Sequence, residues 1–310
     1  MIDKMQSKVL GVKSISKSFS NVKAVSNISF SVKQGDIFAF LGPNGAGKTT
    51  ILRILLDIIK ADDGQIEWNL EGSSNHLTQA SQFGYLPEER GLYLDIPILK
   101  SLVYLASIRG MDKTEAEKTA LEWLERLELA DRAKEKLQVL SKGNQQKIQF
   151  VASILHKPGF AILDEPFSGL DPLNQEIFIE FIKEINKQGT TILLSAHQMQ
   201  LVEKTAHKIF LINKGKELYN GSLTGIYETY GNRQVIELNY KSSLNENSLK
   251  NIGGVENIEI IDNSLVKLTL RQNTDMKIIL SDLAKLEGVF DISSHKPSLH
   301  DIFLNLVKSH

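Results

Sequence analysis

The chain changes its hydrophobic period several times. Across residues 8–41 the pattern predicts strands. Ile28, Phe30 and Val32 alternate with polar neighbours, and IFAFL (Ile37–Leu41) runs apolar on both faces into a glycine. From Lys48 to Ile59 the period lengthens: Ile51, Leu52, Leu55, Leu56 and Ile59 share one face of a helix. A helix-rich stretch then runs from about Ile98 to Leu155, with Ala116, Ala120, Trp123, Leu124 and Leu127 at helical spacing. Short β-type runs, FAILDE and TTILLSAH, flank an amphipathic helix over Leu173–Asn186. Strands alternating with helices predict an α/β fold, a mainly parallel sheet covered on both faces. Residues from about 95 to 155 form a helical subdomain inserted into it.

Around Gly221–Asn232 the character becomes that of a boundary helix or linker. Beyond it the pattern gives β (Val235–Tyr240), α (Ser243–Ile252), β (Val255–Ile261), β (Leu265–Leu270), α (Asp275–Leu286) and β (Val289–Ser293). A last helix covers Leu299–Lys308. The order βαββαβ is that of a ferredoxin-like split unit, so a small α+β domain is expected over 230–310, after a larger domain over 8–225. A length of 310 residues agrees with two domains of about 150 each.

Composition narrows the chemistry. Thirty-six Lys and Arg against 37 Asp and Glu leave a net charge of -1, which favours no polyanionic partner, so no nucleic acid is expected. The absence of cysteine excludes disulfides, Cys-based zinc sites and thiol nucleophiles. The start, MIDKMQSKVLGVKSISKSF, has no apolar core of a signal peptide, and the apolar runs are far shorter than the roughly 20 residues that span a bilayer. A soluble protein of a reducing compartment is the expectation.

The strongest chemical signal is Gly42-Pro43-Asn44-Gly45-Ala46-Gly47-Lys48-Thr49, which fits G-x-x-x-x-G-K-[ST] between an apolar strand and an amphipathic helix. Glycines at 42, 45 and 47 let backbone wrap round phosphate oxygens, and the helix N-terminus favours the anion. Lys48 would reach the β- and γ-phosphates, and the Thr49 hydroxyl would ligate Mg²⁺. FAILDEP (Phe160–Pro166) is an apolar strand ending in two carboxylates. Asp164 is placed to hold the Mg²⁺ shell, and Glu165 to accept a proton from attacking water. Ser141 is a plausible N-cap for the helix with apolar positions Ile148, Val151, Ile154 and Leu155. Capping does not explain Gly143, and Ser with Gly at a helix start makes a second anion site. A second chain docked head-to-tail would bring that helix end to the other chain's nucleotide.

The ordered series of P-loop, LSKGN, FAILDEP, SGLD (Ser168–Asp171) and SAH ending at His197 resembles the nucleotide-binding subunit of ATP-binding-cassette (ABC) transporters, over about residues 8–220. The C-terminal end, SLHDIFLNLV, is similar to that of ATPase subunits of bacterial ABC-2-type exporters, a group that includes sodium-extrusion and drug-export systems. The resemblance implies a P-loop NTPase core with an inserted helical subdomain, binding ATP and Mg²⁺ between two nucleotide-binding subunits, as a homodimer or heterodimer. It implies a separate transmembrane permease and a place on the cytoplasmic side of the cell membrane, with Glu88–Leu105 and the helices after it as the docking region.

By matched position, residues 42–50, ending in Thr50, hold phosphate and Mg²⁺, and Glu165 is the general base. His197 is the switch histidine, and Asp171 the aspartate that communicates across the dimer. Ser141, Gly143 and Asn144 belong to the signature facing the partner's nucleotide, and Phe19 stands where an aromatic stacks on adenine. The other six histidines, Trp68 and Trp123 are read as structural. Two departures stand out. Glu88 replaces a glutamine that touches Mg²⁺, and is either a substituting ligand or a solvated charge. Lys142 replaces a signature glycine, and either assists anion binding or crowds the site. A soluble ABC-type ATPase of DNA repair or translation is the alternative. No heptad run, a single cassette and the near-neutral charge speak against it.

Overall fold

The computed structural model describes residues 7–70, 80–89, 91–231, 234–241, 249, 252–271 and 274–309. The chain divides into two compact units, Met1–Leu223 and Thr224–His310.

In the first unit, β1 (Lys8–Phe19), β2 (Val22–Lys33) and β4 (Asp63–Trp68) form an antiparallel sheet in the order β2-β1-β4. The second sheet contains β3 (Ile37–Leu41), β5 (Phe83–Leu86), β6 (Phe160–Asp164), β7 (Thr191–Ala196), β8 (Lys208–Asn213) and β9 (Lys216–Ser222), ordered β5-β6-β7-β3-β8-β9. Its first five strands run parallel and β9 closes the edge antiparallel. Every residue of β3, β6 and β7 is buried, as strands covered on both faces require. Phe30, Phe38, Phe40 and Phe210 pack with ring centroids 5.1–5.8 Å apart, joining the two sheets through one core. Trp68 stands edge-on to Phe83 and Phe160 at 5.0 and 5.1 Å, a packing role as expected.

The first helix is shorter than its apolar pattern suggests. It spans Lys48–Leu55 (α1) rather than reaching Ile59. Asp57 takes the left-handed conformation, with φ of 57°, and the N–H groups of Ile58 and Ile59 both return to the Arg53 carbonyl. The reversal turns Ile58 out to solvent, so the last part of the apolar pattern belongs to a turn.

The inserted region holds α2 (Ile98–Ser107), α3 (Lys113–Arg126) and α4 (Lys142–Ile154). The Asp112 carboxylate caps α3 and the Ser141 hydroxyl caps α4. The ring of Trp123 meets Phe181 of α5 (Pro172–Lys187) at 5.1 Å, and Arg126 lies over both rings. A short α6 (Met199–Glu203) follows β7.

Helix α7 (Leu223–Tyr230) spans the boundary between the units. The second unit contains β10 (Val235–Tyr240), β11 (Val255–Ile260), β12 (Leu265–Leu270), α8 (Met276–Leu283), β13 (Val289–His295) and α9 (Leu299–Ser309). All neighbours in its sheet, ordered β11-β12-β10-β13, are antiparallel, the strand order of the split βαβ arrangement. Of the helix expected over 243–252, only Leu249 lies within a described helical position. The tail pattern SLHDIF has a local structural role. Ser298 and Asp301 form a reciprocal capping box at the start of α9, and Asp301 lies 3.5 Å from Lys267, itself paired with Glu237 at 3.0 Å.

Candidate nucleotide site

The loop between β3 and α1 is shaped by contacts that exclude side chains. A Cβ on Gly42 would lie 2.2 Å from the Ile212 carbonyl oxygen, and one on Gly47 would lie 2.4 Å from that of Ala24. Gly47 also holds φ of 108°, a value L side chains rarely adopt. As N-cap of α1, Gly47 offers no side-chain acceptor, and the first turn carries no acidic residue. The amide groups at this helix end therefore point, uncapped, into a cavity of about 170 Å³. Residues 44–50 line it with Ala24, Glu88 and Glu165.

Lys48 is 6% exposed. Its Nζ donates to the carbonyls of Gly42 at 2.8 Å and Pro43 at 3.3 Å, and lies 3.5 Å from Glu165 Oε1. The other oxygen of Glu165 is 2.8 Å from His197 Nδ1, so lysine, glutamate and histidine form a continuous chain that starts at the cavity wall. Glu165 reaches this position from a strained backbone. Its φ of 51° is uncommon for a residue with a side chain. Its N–H donates to Ser195 Oγ at 3.0 Å, and its carbonyl accepts from Ser168 N at 3.0 Å and from the Gln146 side-chain amide at 3.4 Å.

Thr49 Oγ1 lies 3.4 Å from both Asp164 Oδ1 and Glu88 Oε2, and its single hydrogen serves one of them at a time. Ser195 Oγ donates to the same Asp164 oxygen. Burial pushes the Asp164 carboxyl above the usual carboxylate range. The Ser195 and Thr49 hydroxyls oppose that shift, while the charges of Glu88 and Glu165 add to it. Asp164 Oδ2 is buried without a hydrogen-bond partner. A buried orphan oxygen, a hydroxyl and a second carboxylate make a hard-oxygen corner that suits a small divalent cation such as Mg²⁺. Among the described residues no three His, Cys, Asp or Glu side chains group to hold a metal, so phosphate and water would complete such a shell.

The remaining expected residues lie elsewhere. Ser141 accepts from Asn144 N at 3.3 Å, and a Cβ on Gly143 would come 3.1 Å from the Gly169 carbonyl, so the signature turn lies against the SGLD turn of its own chain. Asp171 caps α5, accepting from Asn174 N at 3.0 Å, and these hydrogen bonds hold its carboxyl below the ordinary range. Phe19 is 48% exposed at the end of β1, with Lys17 Nζ 5.6 Å from its ring centre, and it does not line the phosphate cavity. Ser195, the first residue of the SAH motif, also belongs to the site, a role the motif alone does not reveal. Its signal in the sequence is a hydroxyl near the end of a mostly apolar strand beside the one ending in Asp164.

A family model described as "ABC transporter" matches residues 25–168, and one described as "ATP-binding protein DrrA1-3-like, C-terminal domain" matches residues 221–307. The ABC transporter ATP-binding protein YhaQ of Bacillus subtilis is 37% identical over 303 residues, covering 96% of this chain and 98% of YhaQ. The linearmycin resistance ATP-binding protein LnrL of the same organism is 30% identical over 306 residues, covering 96% and 98%. Among solved structures, an ATP-binding subunit of an ABC transporter superposes with a TM-score of 0.65 at 29% identity, over 72% of this chain and 93% of its own. A dimeric ATP-binding cassette bound to ADP and Pi shares the fold with a TM-score of 0.62 at 21% identity, over 69% of this chain and 98% of its own.

Proposed function

The chain belongs to the ATP-binding subunits of ABC transporters, a family that hydrolyses ATP, and from that premise we propose that it powers an ABC-2-type exporter. It pairs with a second nucleotide-binding subunit and drives a separate transmembrane permease from the cytoplasmic side of the membrane. No helix of the described residues is long and apolar enough to cross a membrane, so in this reading the translocation path belongs to the permease. The C-terminal match and the resistance role in LnrL's name support the export direction.

The observation that carries the hydrolytic reading is the chain Lys48–Glu165–His197 beside an uncapped helix start. Lys48 and the α1 amides bind the phosphates, and the incoming anion takes over the ammonium now held by the Gly42 and Pro43 carbonyls. Release of Lys48 leaves Glu165 with His197, oriented to take a proton from water. His197, with Nδ1 2.8 Å from Glu165 Oε2, holds that carboxylate in place. Thr49, Asp164 and Glu88 would hold Mg²⁺, whose charge would neutralise that of the phosphates. Catalysis of this kind is positioning plus electrostatic stabilisation. Ser141, Gly143 and Asn144 complete the partner's site, with Asp171 beside them.

The test is a mixture. Ser141→Ala and Lys48→Ala chains are each inactive alone, and mixing them restores one composite site per heterodimer. Absence of rescue in the mixture counts against a shared site. Glu165→Gln binds MgATP and dimerises but turns over roughly 10²–10⁴-fold more slowly. Wild-type turnover by that variant removes Glu165 from the base role.

A further inference from the structure

Helix α4 carries three buried glutamines, Gln145, Gln146 and Gln149, each at most 7% exposed. A glutamine in an apolar environment must spend its amide hydrogens on acceptors, and the acceptors chosen here differ in kind. Gln145 Nε2 donates to the carbonyls of Leu137 and Leu140, at 3.2 and 3.1 Å, and so ties α4 to the segment entering it. Gln149 Nε2 donates to the carbonyls of Pro87 at 2.9 Å and Glu89 at 3.2 Å, the two residues flanking Glu88. Gln146 Nε2 donates to the carbonyls of Glu165 at 3.4 Å and Pro166 at 3.2 Å. Gln146 and Gln149 are three residues apart and share a helix face. That one face holds the backbone of both carboxylates contributed to the cavity by segments far apart in sequence, Glu88 after β5 and Glu165 after β6.

The backbone at these acids needs holding. Glu165 keeps a left-handed conformation, which persists only where its surroundings over-determine it. Glu88 leaves β5 through a loop, and its carboxylate must stay within reach of Thr49 Oγ1 to share a cation with Asp164. We propose that Gln146 and Gln149 are positioning residues that fix Glu165 and Glu88 from a single rigid helix. The helix capped by Ser141 thereby sets the proton-accepting carboxylate and the second metal-side carboxylate together. This rests on the site reading above, in which Glu165 accepts the proton and Glu88 faces the cation.

The proposal is tested on the full chain with Gln→Met substitutions, which keep length and remove the donors. Outer residues of this kind cost roughly tenfold to a hundredfold in metal affinity or activity. Gln149→Met should weaken Mn²⁺ binding to the AMP-PNP complex, read by electron paramagnetic resonance, about tenfold or more. AMP-PNP affinity without metal should stay unchanged. Gln146→Met should lower single-turnover kcat about tenfold or more while KM for ATP moves less than about twofold. Neither loss should multiply with that of the acid it holds: Gln149→Met should add nothing in a Glu88→Gln chain, nor Gln146→Met in a Glu165→Gln chain. Gln145→Met serves as the control, lowering Tm without either signature.

The proposal is overturned if Gln145→Met reproduces these effects, or if the losses multiply with the acid substitutions. Wild-type metal affinity in Gln149→Met, or wild-type kcat in Gln146→Met, also overturns it. Should a Met variant fail to fold, the Asn variant at that position, an amide on a stem too short to reach, is read by the same criteria. If Glu88→Gln and Glu165→Gln themselves leave metal affinity and kcat unchanged, the underlying site reading fails first, and the positioning role falls with it.

Discussion

Helices α1 and α5 each leave a buried strand of the same sheet through a short loop, yet their first turns are built on opposite lines. At α5 the Asp171 carboxylate occupies the helix end and accepts from Asn174 N. At α1 the corresponding position is Gly47, which has no side chain to cap the first turn. One end is satisfied internally, and the other is left for an anion from outside. The aspartates nearby divide in the same way. Hydrogen bonds hold the Asp171 carboxyl below its usual range, while burial drives that of Asp164 above it. Function here resides where the chain withholds its own partners.

The contrast can be broken by closing the open end. Thr50 lines the cavity in the first turn of α1, and Thr50→Glu places a carboxylate where the phosphate belongs. ATP affinity should fall by about a hundredfold or more, through lost anion space and like charge, while the nucleotide-free Tm stays level or rises. Isothermal titration with a melting curve checks both halves, and retained affinity would contradict the open role of that helix end.

A smaller effect separates the aspartates. A carboxyl with a raised folded pKa contributes stability below its unfolded pKa, and that contribution is lost as pH rises through the folded value. Asp164→Asn should therefore raise the Tm of the nucleotide-free chain at pH 7 by about 2–4 °C, and the gain should vanish toward pH 4. The same variant should lose the extra stabilisation that Mg²⁺ adds to bound nucleotide. Asp171 runs the other way. Its lowered pKa gives stability present above the unfolded value and lost as pH falls through the folded one. Asp171→Ala should lower Tm by about 2 °C at pH 7 and by less in acid, leaving nucleotide affinity of the single chain unchanged. Parallel pH–Tm series on the two variants test the opposite slopes.

Much of this site is legible in the amino-acid sequence. Glycine spacing, Lys48, the paired carboxylates and His197 are chemistry written into contiguous motifs, and the fold brings Lys48, Glu165 and His197 into one connected chain. What resists reading is chemistry borrowed across the fold. Ser195 meets Asp164 because β6 and β7 are neighbours, and the amides of Gln146 and Gln149 reach carbonyls 20 and 62 residues away. No local period encodes such contacts. The length of α1 is hidden for a different reason: its apolar face continues into a turn, and only the left-handed Asp57 reveals the break. Phe19 is singled out by matched position alone, and it stands exposed, away from the cavity lining.

The strand order carries a last consequence. β7 lies between β3 and β6, so the strand feeding the glycine loop and the strand ending in Asp164 are separated by one strand. With neighbours about 4.8 Å apart, the loop and the carboxylates start from supports roughly 10 Å from each other. Three hydrogen-bonded strands resist stretching far better than any loop does. The intervening strand thus works as a gauge block, fixing the width of the gap between the glycine loop and the carboxylates. His197, directly after β7, stands over the middle of that gap. Sequence change in the loops can retune what fills the space, but its width is set by the sheet.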